Sequence, residues 1–285
     1  MSSSSILITG SSGFIGQSFQ KKYKEFYRIQ RFSSQKNSIG SINFEKIDTV
    51  LHCAALVHQK EKHSFERYQE INTKYPVKLA KKAKEFGVKQ FVFLSTIAVF
   101  DETLESIDEN SIVNPITYYG KSKLDAEKQL LYLRDEQFKV SIIRPPMVYG
   151  RNAPGNISSL VRLVRYLPVI PLGGINNKRS FAYIDNLLHL INEVIIQRKD
   201  GVFFASDDKT INTSYLIKQI ANGLNKKIIL ISLPLFESLI KNILPKLHQR
   251  IYCSLVVDNK NSKKALSLEN PVSVEEGIWR MLRND

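Results

Sequence analysis

The feature that most constrains this chain is a glycine-rich turn directly after a short apolar run near the N-terminus. The run covers residues 4–9, glycines follow at positions 10, 13 and 16, and an amphipathic stretch continues from Phe14 to about Tyr23. This succession predicts a β-strand, a tight turn and an α-helix. Such a unit is typical of α/β folds with a doubly wound parallel sheet.

The three glycines have separate tasks in a turn of this kind. Gly10 permits the sharp turn off the strand, Gly13 lets backbone N–H groups approach a phosphate, and Gly16 lets the helix lie close to the sheet. The phosphates then meet the positive end of the helix dipole. The predicted ligand is therefore a dinucleotide. A tight strand–helix connection that binds nothing is the alternative.

Length and composition indicate a globular protein of the cytoplasm. The chain has 285 residues, of which 43% are hydrophobic, enough for one large domain or a domain with a small companion. No apolar run reaches the ~18 residues of a membrane span, so stable membrane insertion is not expected. The cysteines, Cys53 and Cys253, are far apart in the sequence, and we expect both to be reduced thiols.

The formal net charge of +14 is spread over the chain and does not form one basic block. No nucleic-acid-binding motif accompanies it, so a nucleic-acid partner is not predicted. A phosphate-bearing cofactor and a diphosphate substrate agree with the sign of the charge.

The second predicted strand, within residues 27–34, ends in basic and hydroxyl side chains. In dinucleotide folds an acidic residue at this point binds the adenosine ribose, whereas an Arg accommodates a 2′-phosphate. The stretch contains Arg31, Ser33 and Ser34 and neither Asp nor Glu. We therefore predict that NADP(H) is the favoured cofactor, with NAD(H) as the alternative.

Residues 35–46 are too few for a full strand and helix after the second strand. We therefore expect the third strand–helix unit to be shortened. The next apolar stretch, 48–55, is typical of a buried parallel strand. It ends in Ala54 and Ala55, whose small side chains allow a cofactor backbone to approach. His58 and His63 follow in a charged loop without metal-ligand spacing, and no metal site is predicted.

Two hydroxyl side chains, Ser95 and Thr96, end the apolar strand predicted over residues 89–96. A helical pattern over residues 65–86 precedes this strand, and Gly87 supplies its stop signal. Ligands bind at the carboxyl edge of open α/β sheets, so both hydroxyls are candidates for function. A capping role for the pair is the alternative.

A helix predicted to open near Ile116 carries Tyr119 and Lys123, which are i and i+4 and therefore share one face. An ammonium group beside a phenol favours the phenolate, so we expect Lys123 to lower the pKa of Tyr119. A phenol with a lowered pKa can donate and accept a proton near neutral pH.

The remaining chain suggests a division into two domains. A parallel strand predicted within 140–150 is ended by Pro145 and Pro146, where the chain leaves the sheet. It closes a dinucleotide-binding domain at 1–150, to which 180–207 return, and 151–179 with 208–285 form a smaller substrate-binding domain. An apolar stripe on a helix predicted over 235–247 favours core or oligomer contact, with interfacial membrane binding as the alternative. A homodimer is one assembly that this stripe allows. The stripe consists of Leu235, Phe236, Leu239, Ile240, Ile243 and Leu244.

With these segments placed, the sequence resembles the extended short-chain dehydrogenase/reductases that act on nucleotide sugars, the NAD-dependent epimerase/dehydratase family. The likeness runs almost end to end. Within the family it looks most like the bacterial polysaccharide-synthesis branch, which includes reductases of UDP-linked 4-keto-6-deoxy-N-acetylhexosamines. The matching motifs are Thr9-Gly10-x-x-Gly13-Phe14-Ile15-Gly16, His52-Cys53-Ala54-Ala55, Asn72, Phe93-Leu94-Ser95-Thr96, Tyr119-Gly120-Lys121-Ser122-Lys123 and Arg144-Pro145-Pro146-Met147-Val148-Tyr149-Gly150.

The resemblance implies a role for each matching position. Tyr119 would be the general acid or base at the sugar C4 oxygen, Thr96 would hydrogen-bond the same oxygen, and Lys123 would hold the nicotinamide ribose. Asn156 and Arg179 would hold the substrate diphosphate, a task suited to the planar fork of Arg. The implied cofactor-binding set is Gly10, Ser12, Gly13, Phe14, Ile15, Gly16, Arg31, Ser33, Ala54, Ala55, Ser95, Tyr119, Lys123 and Pro145.

The resulting hypothesis is a reductase of the C4 keto group of a UDP-4-keto-6-deoxy-N-acetylhexosamine. A nucleotide-sugar 4-epimerase with tightly bound NAD uses the same residues and is the main alternative. A dehydratase is less favoured, because that relative carries acidic residues after the Thr where this chain has Ile97-Ala98. A non-catalytic dinucleotide sensor would commonly lose the Tyr or Lys. The carrier, UDP or a lipid diphosphate, stays open.

Overall fold

The computed structural model describes residues 4–33, 38–57 and 63–283. The strands among these residues are β1 (Ser5–Thr9), β2 (Arg28–Phe32), β3 (Thr49–His52), β4 (Gln90–Leu94), β5 (Ser106–Ile107), β6 (Lys139–Arg144), β7 (Met147–Tyr149), β8 (Val169–Ile170), β9 (Phe181–Tyr183), β10 (Gly201–Phe204), β11 (Ile229–Leu230) and β12 (Val256–Val257).

The α-helices among the same residues are α1 (Phe14–Tyr23), α2 (Phe65–Tyr68), α3 (Tyr75–Glu85), α4 (Tyr118–Tyr132), α5 (Asn156–Tyr166), α6 (Ile184–Ile196), α7 (Thr213–Gly223), α8 (Pro234–Ile243), α9 (Pro245–Tyr252), α10 (Lys260–Leu266) and α11 (Val274–Leu282). A π-helical segment, Gln69–Lys74, joins α2 to α3.

Six parallel strands form the central sheet, in the order β2-β1-β3-β4-β6-β10. Successive side chains of a strand point to opposite faces, so Ile6 and Ile8 enter the core beneath α1 and α6, whereas Leu7 enters the core beneath α3 and α4. Helices therefore cover both faces of the sheet. The predicted doubly wound α/β fold is confirmed.

The two edges of the sheet agree with the sequence pattern. Beyond β2, the described part of residues 35–46 contains a short 3₁₀ turn at Ile39–Ser41 in place of a strand, as expected for a shortened unit. At the other edge, β10 pairs with β6 and brings residues after 200 into the central sheet. This strand lies within the segment 180–207 that was expected to return. The division into two domains stays a prediction.

Prolines interrupt regular structure at two places. The strand predicted within 140–150 ends at Arg144, as expected from Pro145 and Pro146, and β7 then pairs with β9 outside the central sheet. The helix predicted over 235–247 is wrong as one element, because Leu244 lies at φ −131° and ψ 63° between α8 and α9. Pro245 follows, and the residue before a proline disfavours the helical region.

Candidate active site

The glycine turn lies at the point of the sheet where the chain reverses its direction of winding. The chain goes from β1 to β2 on one side, and β3 lies on the other side of β1. Ligands of doubly wound folds bind in the crevice at such a point. Gly10 has a φ of +69°, and a Cβ atom there would lie 2.5 Å from the backbone nitrogen of Ala54. The loops after β1 and β3 therefore touch at Gly10.

The first turn of α1 fits the phosphates of a dinucleotide. Gly13 is the residue before the helix and has no side chain that could cap it, and no acidic residue stands in the first turn. The first N–H groups of a helix have no partner within the helix and attract anions. A Cβ on Gly16 would lie 2.4 Å from the carbonyl oxygen of Gly10, which explains why the third position requires glycine.

The other predicted cofactor residues line the same carboxyl edge. Arg31 and Ser33 stand at the end of β2, Ala54 and Ala55 follow β3, and Ser95 follows β4. Arg31 is exposed and Ala54 is half-buried. Ser12, Phe14 and Ile15 belong to the turn and the first residues of α1, and Pro145 directly follows β6. Each of these contacts with a cofactor stays a prediction. His58 lies outside the described residues.

Tyr119 and Thr96 form a hydrogen-bonded pair. Thr96 lies in extended backbone after β4, and its Oγ1 accepts a bond of 3.1 Å from the N–H of Ala98. Tyr119 is in the first turn of α4, and burial raises the pKa of its phenol to about 12, opposed by the hydrogen bond with the Thr96 side chain. The phenol is therefore protonated at neutral pH and can donate a proton.

The expectation that Lys123 lowers the pKa of Tyr119 is wrong for this arrangement. The Lys123 ammonium donates to the carbonyl oxygen of Leu94 at 2.6 Å and lies 3.6 Å from the centroid of the Phe93 ring. Lys123 is only 1% exposed. Burial lowers its own pKa to about 7, and the Glu127 carboxylate opposes that shift. The shared helix face is as predicted, but the ammonium is held by the end of β4.

Glu127 is a buried anion that the sequence analysis did not single out. It is one helical turn after Lys123 on α4 and is 1% exposed. Arg144 binds it with both ends of the guanidinium, Nε to Oε1 at 3.1 Å and Nη2 to Oε2 at 2.5 Å. The Ser95 hydroxyl also donates to Glu127. Ser95 directly follows β4, and Arg144 is the last residue of β6. Together they fix the carboxylate at the carboxyl edge of the sheet.

Asn72 ties α4 to the loop after β3. Its side-chain amide binds both backbone groups of Leu56, at 2.7 and 2.9 Å, and donates to the Ser122 hydroxyl at 3.1 Å. Asn72 lies in the π-helical segment, and such bulges are frequent at functional sites. Because Ser122 stands between Tyr119 and Lys123, this network fixes the register of both against the sheet.

A cavity of about 310 Å³ brings together all four predicted substrate-binding residues, Thr96, Tyr119, Asn156 and Arg179. Asn156 opens α5. The Arg179 guanidinium donates from Nη1 to the carbonyl oxygens of Gln249 and Cys253, at 3.2 and 2.9 Å. The volume is in the range of small-molecule sites. The contacts of these four residues with a substrate stay a prediction.

The sequence analysis missed Glu127, Gln249 and Arg250, and it gave Arg144 and Met147 no role although both belong to a matching motif. Met147, Gln249 and Arg250 line the cavity, and Arg144 binds Glu127. The i,i+4 spacing of Lys123 and Glu127, with opposite charges on one helix face, could have identified Glu127. No sequence signal places α9 beside Thr96, because that contact joins segments about 150 residues apart.

Replacing Gly10 by Ala is expected to lower both stability and affinity for the dinucleotide. A left-handed conformation costs a non-glycine residue about 1–2 kcal/mol, and the new Cβ would also overlap the Ala54 backbone. Gly87→Ala is the matched control, because Gly87 has a φ of +76° with open space around its Cβ position. Urea unfolding and cofactor titration should show a larger loss for Gly10→Ala, whereas equal losses would contradict steric control at the turn.

Comparisons with known proteins agree with this site. The model of the NAD dependent epimerase/dehydratase family matches residues 6–202. A UDP-glucose 4-epimerase of Vibrio cholerae is 35% identical, with 96% of this chain and 93% of that protein covered. N-acetyl-alpha-D-glucosaminyl-diphospho-ditrans,octacis-undecaprenol 4-epimerase of Escherichia coli O157:H7 is 26% identical, with 80% and 75% covered.

The fold is also found among solved structures. The crystal structure of UDP-N-acetylglucosamine 4-epimerase from Bacillus cereus matches with a TM-score of 0.79 at 20% identity, and the match covers 98% of each chain. The family model spans β1 to β10, which include the glycine turn and the Tyr119–Lys123 helix. The chain therefore belongs to the NAD-dependent epimerase/dehydratase family.

Proposed function

We propose that this protein is a nucleotide-sugar 4-epimerase that inverts C4 of a UDP-linked hexose or N-acetylhexosamine. The observation that supports this most directly is the hydrogen-bonded Thr96–Tyr119 pair, which lines one cavity with Asn156 and Arg179. The relative from Vibrio cholerae is a UDP-glucose 4-epimerase and is similar over nearly the whole chain. Its similarity favours the epimerase over the reductase that the sequence analysis placed first.

The turnover that we propose is a reversible oxidation at C4. A bound nicotinamide supplies the uptake and return of hydride. The phenolate form of Tyr119 would accept the proton of the C4 hydroxyl during oxidation and return it during reduction, while Thr96 holds the same oxygen by a hydrogen bond. Because burial raises the pKa of Tyr119 to about 12, the positive charge of a bound oxidised nicotinamide would be needed to favour that phenolate. Lys123, held by the carbonyl oxygen of Leu94, would bind the nicotinamide ribose.

Arg179 and Asn156 are the proposed diphosphate contacts. A guanidinium carries five N–H donors, and the two bonds to backbone carbonyls both use Nη1. Nε and Nη2 are therefore the donors that we assign to the phosphate oxygens. Arg250 lines the same cavity and adds a second positive charge, which agrees with a doubly charged diphosphate.

A reductase of a UDP-4-keto-6-deoxy-N-acetylhexosamine is the second candidate. It is favoured by Arg31, which is exposed at the end of β2 in a stretch without Asp or Glu. An Arg at this point accommodates the 2′-phosphate of NADPH. A reductase consumes an exchangeable reduced cofactor, whereas an epimerase retains its cofactor and has no net redox change.

The purified protein is expected to epimerise a UDP-sugar without added cofactor. The nicotinamide released on denaturation would be identified, and UDP-glucose and UDP-N-acetylglucosamine would be incubated separately with the protein and analysed by NMR. Appearance of the C4 epimer at constant nicotinamide absorbance supports the epimerase. Loss of NADPH absorbance only with a UDP-4-keto-6-deoxy sugar supports the reductase instead. Absence of both activities, also with a polyprenyl-diphosphate sugar, would contradict both functions.

A further inference from the structure

Helices α8 and α9 carry an exposed aliphatic face. The stripe on this segment was expected to be core or oligomer contact, but only Ile240 is buried and Phe236 packs partly against the core. Leu235 is 87% exposed and Ile243 is 65% exposed. We refer to the following set as the α8–α9 face: Leu235, Leu239, Ile243, Leu244 and Leu247, each at least 40% exposed.

The small sheet of β8 and β11, which ends shortly before α8 in the chain, also carries exposed aliphatic side chains. Ile229 of β11 pairs with Val169 of β8, and both side chains are exposed, as is Leu233 directly before α8. Single exposed aliphatic residues are ordinary, but a contiguous exposed group marks a site of contact with a protein or a membrane. Within residues 4–33, 38–57 and 63–283, no helix has the length and hydrophobicity to cross a bilayer.

The segment is strongly basic. Residues 226–252 contain five cationic side chains against one carboxylate, Glu237, whose Oε1 lies 3.3 Å from Nε2 of His248. All five cationic residues are exposed. They are Lys226, Lys227, Lys241, Lys246 and Arg250. An apolar helix face bordered by Lys and Arg is typical of segments that lie in the interface of a membrane.

We propose that the α8–α9 face docks on the surface of an anionic phospholipid bilayer. The aliphatic side chains would enter the headgroup boundary, and the cationic side chains would bind anionic headgroups. A second copy of this chain fits the charges less well. A two-fold interface places the same patch on both sides, so five cations would face five cations.

The position of α9 connects this surface to the cavity. Gln249 and Arg250 of α9 line the cavity, and Arg179 holds the carbonyls of Gln249 and Cys253. Docking through α8 and α9 therefore places the α9 side of the cavity next to the membrane surface. This inference does not depend on the proposed function, because the aliphatic side chains of the α8–α9 face and the four lysines lie outside the cavity; of the docking residues only Arg250 lines it.

Flotation of the full-length protein with vesicles tests the docking. We expect binding to vesicles of phosphatidylglycerol and phosphatidylcholine, little binding to phosphatidylcholine alone, and weaker binding in high salt. The double variant Leu235→Asn with Ile243→Asn should bind anionic vesicles at least about tenfold more weakly, because both aliphatic contacts are lost. Lys241→Gln with Lys246→Gln should weaken binding and reduce its dependence on salt.

Ile112→Asn is the matched control, because Ile112 is 81% exposed and lies in the polar loop before α4. This variant should float like the unchanged protein. Light scattering and thermal unfolding of every variant would show whether mass and fold are retained. The proposal is overturned if the protein does not bind anionic vesicles, if the α8–α9 variants bind as well as the control, or if these variants only dissociate a dimer.

Discussion

Replacing Tyr119 by Phe is expected to lower kcat by about 10²–10⁴-fold while cofactor affinity stays nearly unchanged. The change removes only the hydroxyl that would transfer the proton at C4, and positioned acid–base groups contribute about that factor. The half-buried ring keeps its packing. Steady-state kinetics on the substrate identified in the UDP-sugar assay, together with cofactor titration, measure both quantities.

Tyr118→Phe is the matched control for this prediction. Tyr118 is the preceding residue of α4, and it is 52% exposed, so loss of its hydroxyl should change kcat by less than about twofold. If Tyr119→Phe retained the kcat of the unchanged protein, Tyr119 would not be the general acid or base. A second variant, Thr96→Val, should lower kcat less than Tyr119→Phe, because the phenol would remain.

Replacing Glu127 by Gln is expected to destabilise the fold by about 3 kcal/mol, because Arg144 would stay buried without its counter-charge. The Arg144 side chain is 12% exposed, and its guanidinium lies 5.1 Å from the centroid of Phe100. Denaturant unfolding at neutral pH measures the change.

The same variant should shift the pH dependence of activity. Burial lowers the pKa of Lys123 to about 7, and the Glu127 carboxylate opposes this shift. Without that charge, Lys123 loses its proton at a lower pH. If the protonated form of Lys123 is the active one, the alkaline decline of kcat/KM moves to lower pH in Glu127→Gln.

Asp125→Asn is the matched control for the Glu127 variant. Asp125 lies on the same helix and accepts a bond of 2.6 Å from Gln69, but it is two residues from Lys123 and so faces another direction. Its replacement should leave the alkaline decline in place. A Glu127→Gln protein with an unchanged pH profile and only a lower stability would show that Glu127 is purely structural.

The sequence alone predicted the central sheet and the shared helix face of Tyr119 and Lys123, because their signals are local. Strand β1, the glycine turn and α1 are contiguous, so hydrophobic periodicity and glycine spacing are sufficient to identify them. Tyr119 and Lys123 are one helical turn apart, and their shared face follows from helix geometry. The fold and the family can be recognised from such contiguous segments.

The tertiary structure decided what depends on contacts between distant segments. Lys123 is directed to Leu94 and Phe93 by the packing of α4 on β4, which helix spacing cannot reveal, and burial then shifted its pKa. The cavity is closed by α9, because Arg179 binds carbonyl oxygens about 70 residues further along the chain. The aliphatic side chains of the α8–α9 face are exposed, whereas Ile240 of the same segment is buried and Phe236 packs partly against the core. Sequence periodicity predicts that a helix has an apolar face, but only the folded chain determines whether that face is covered.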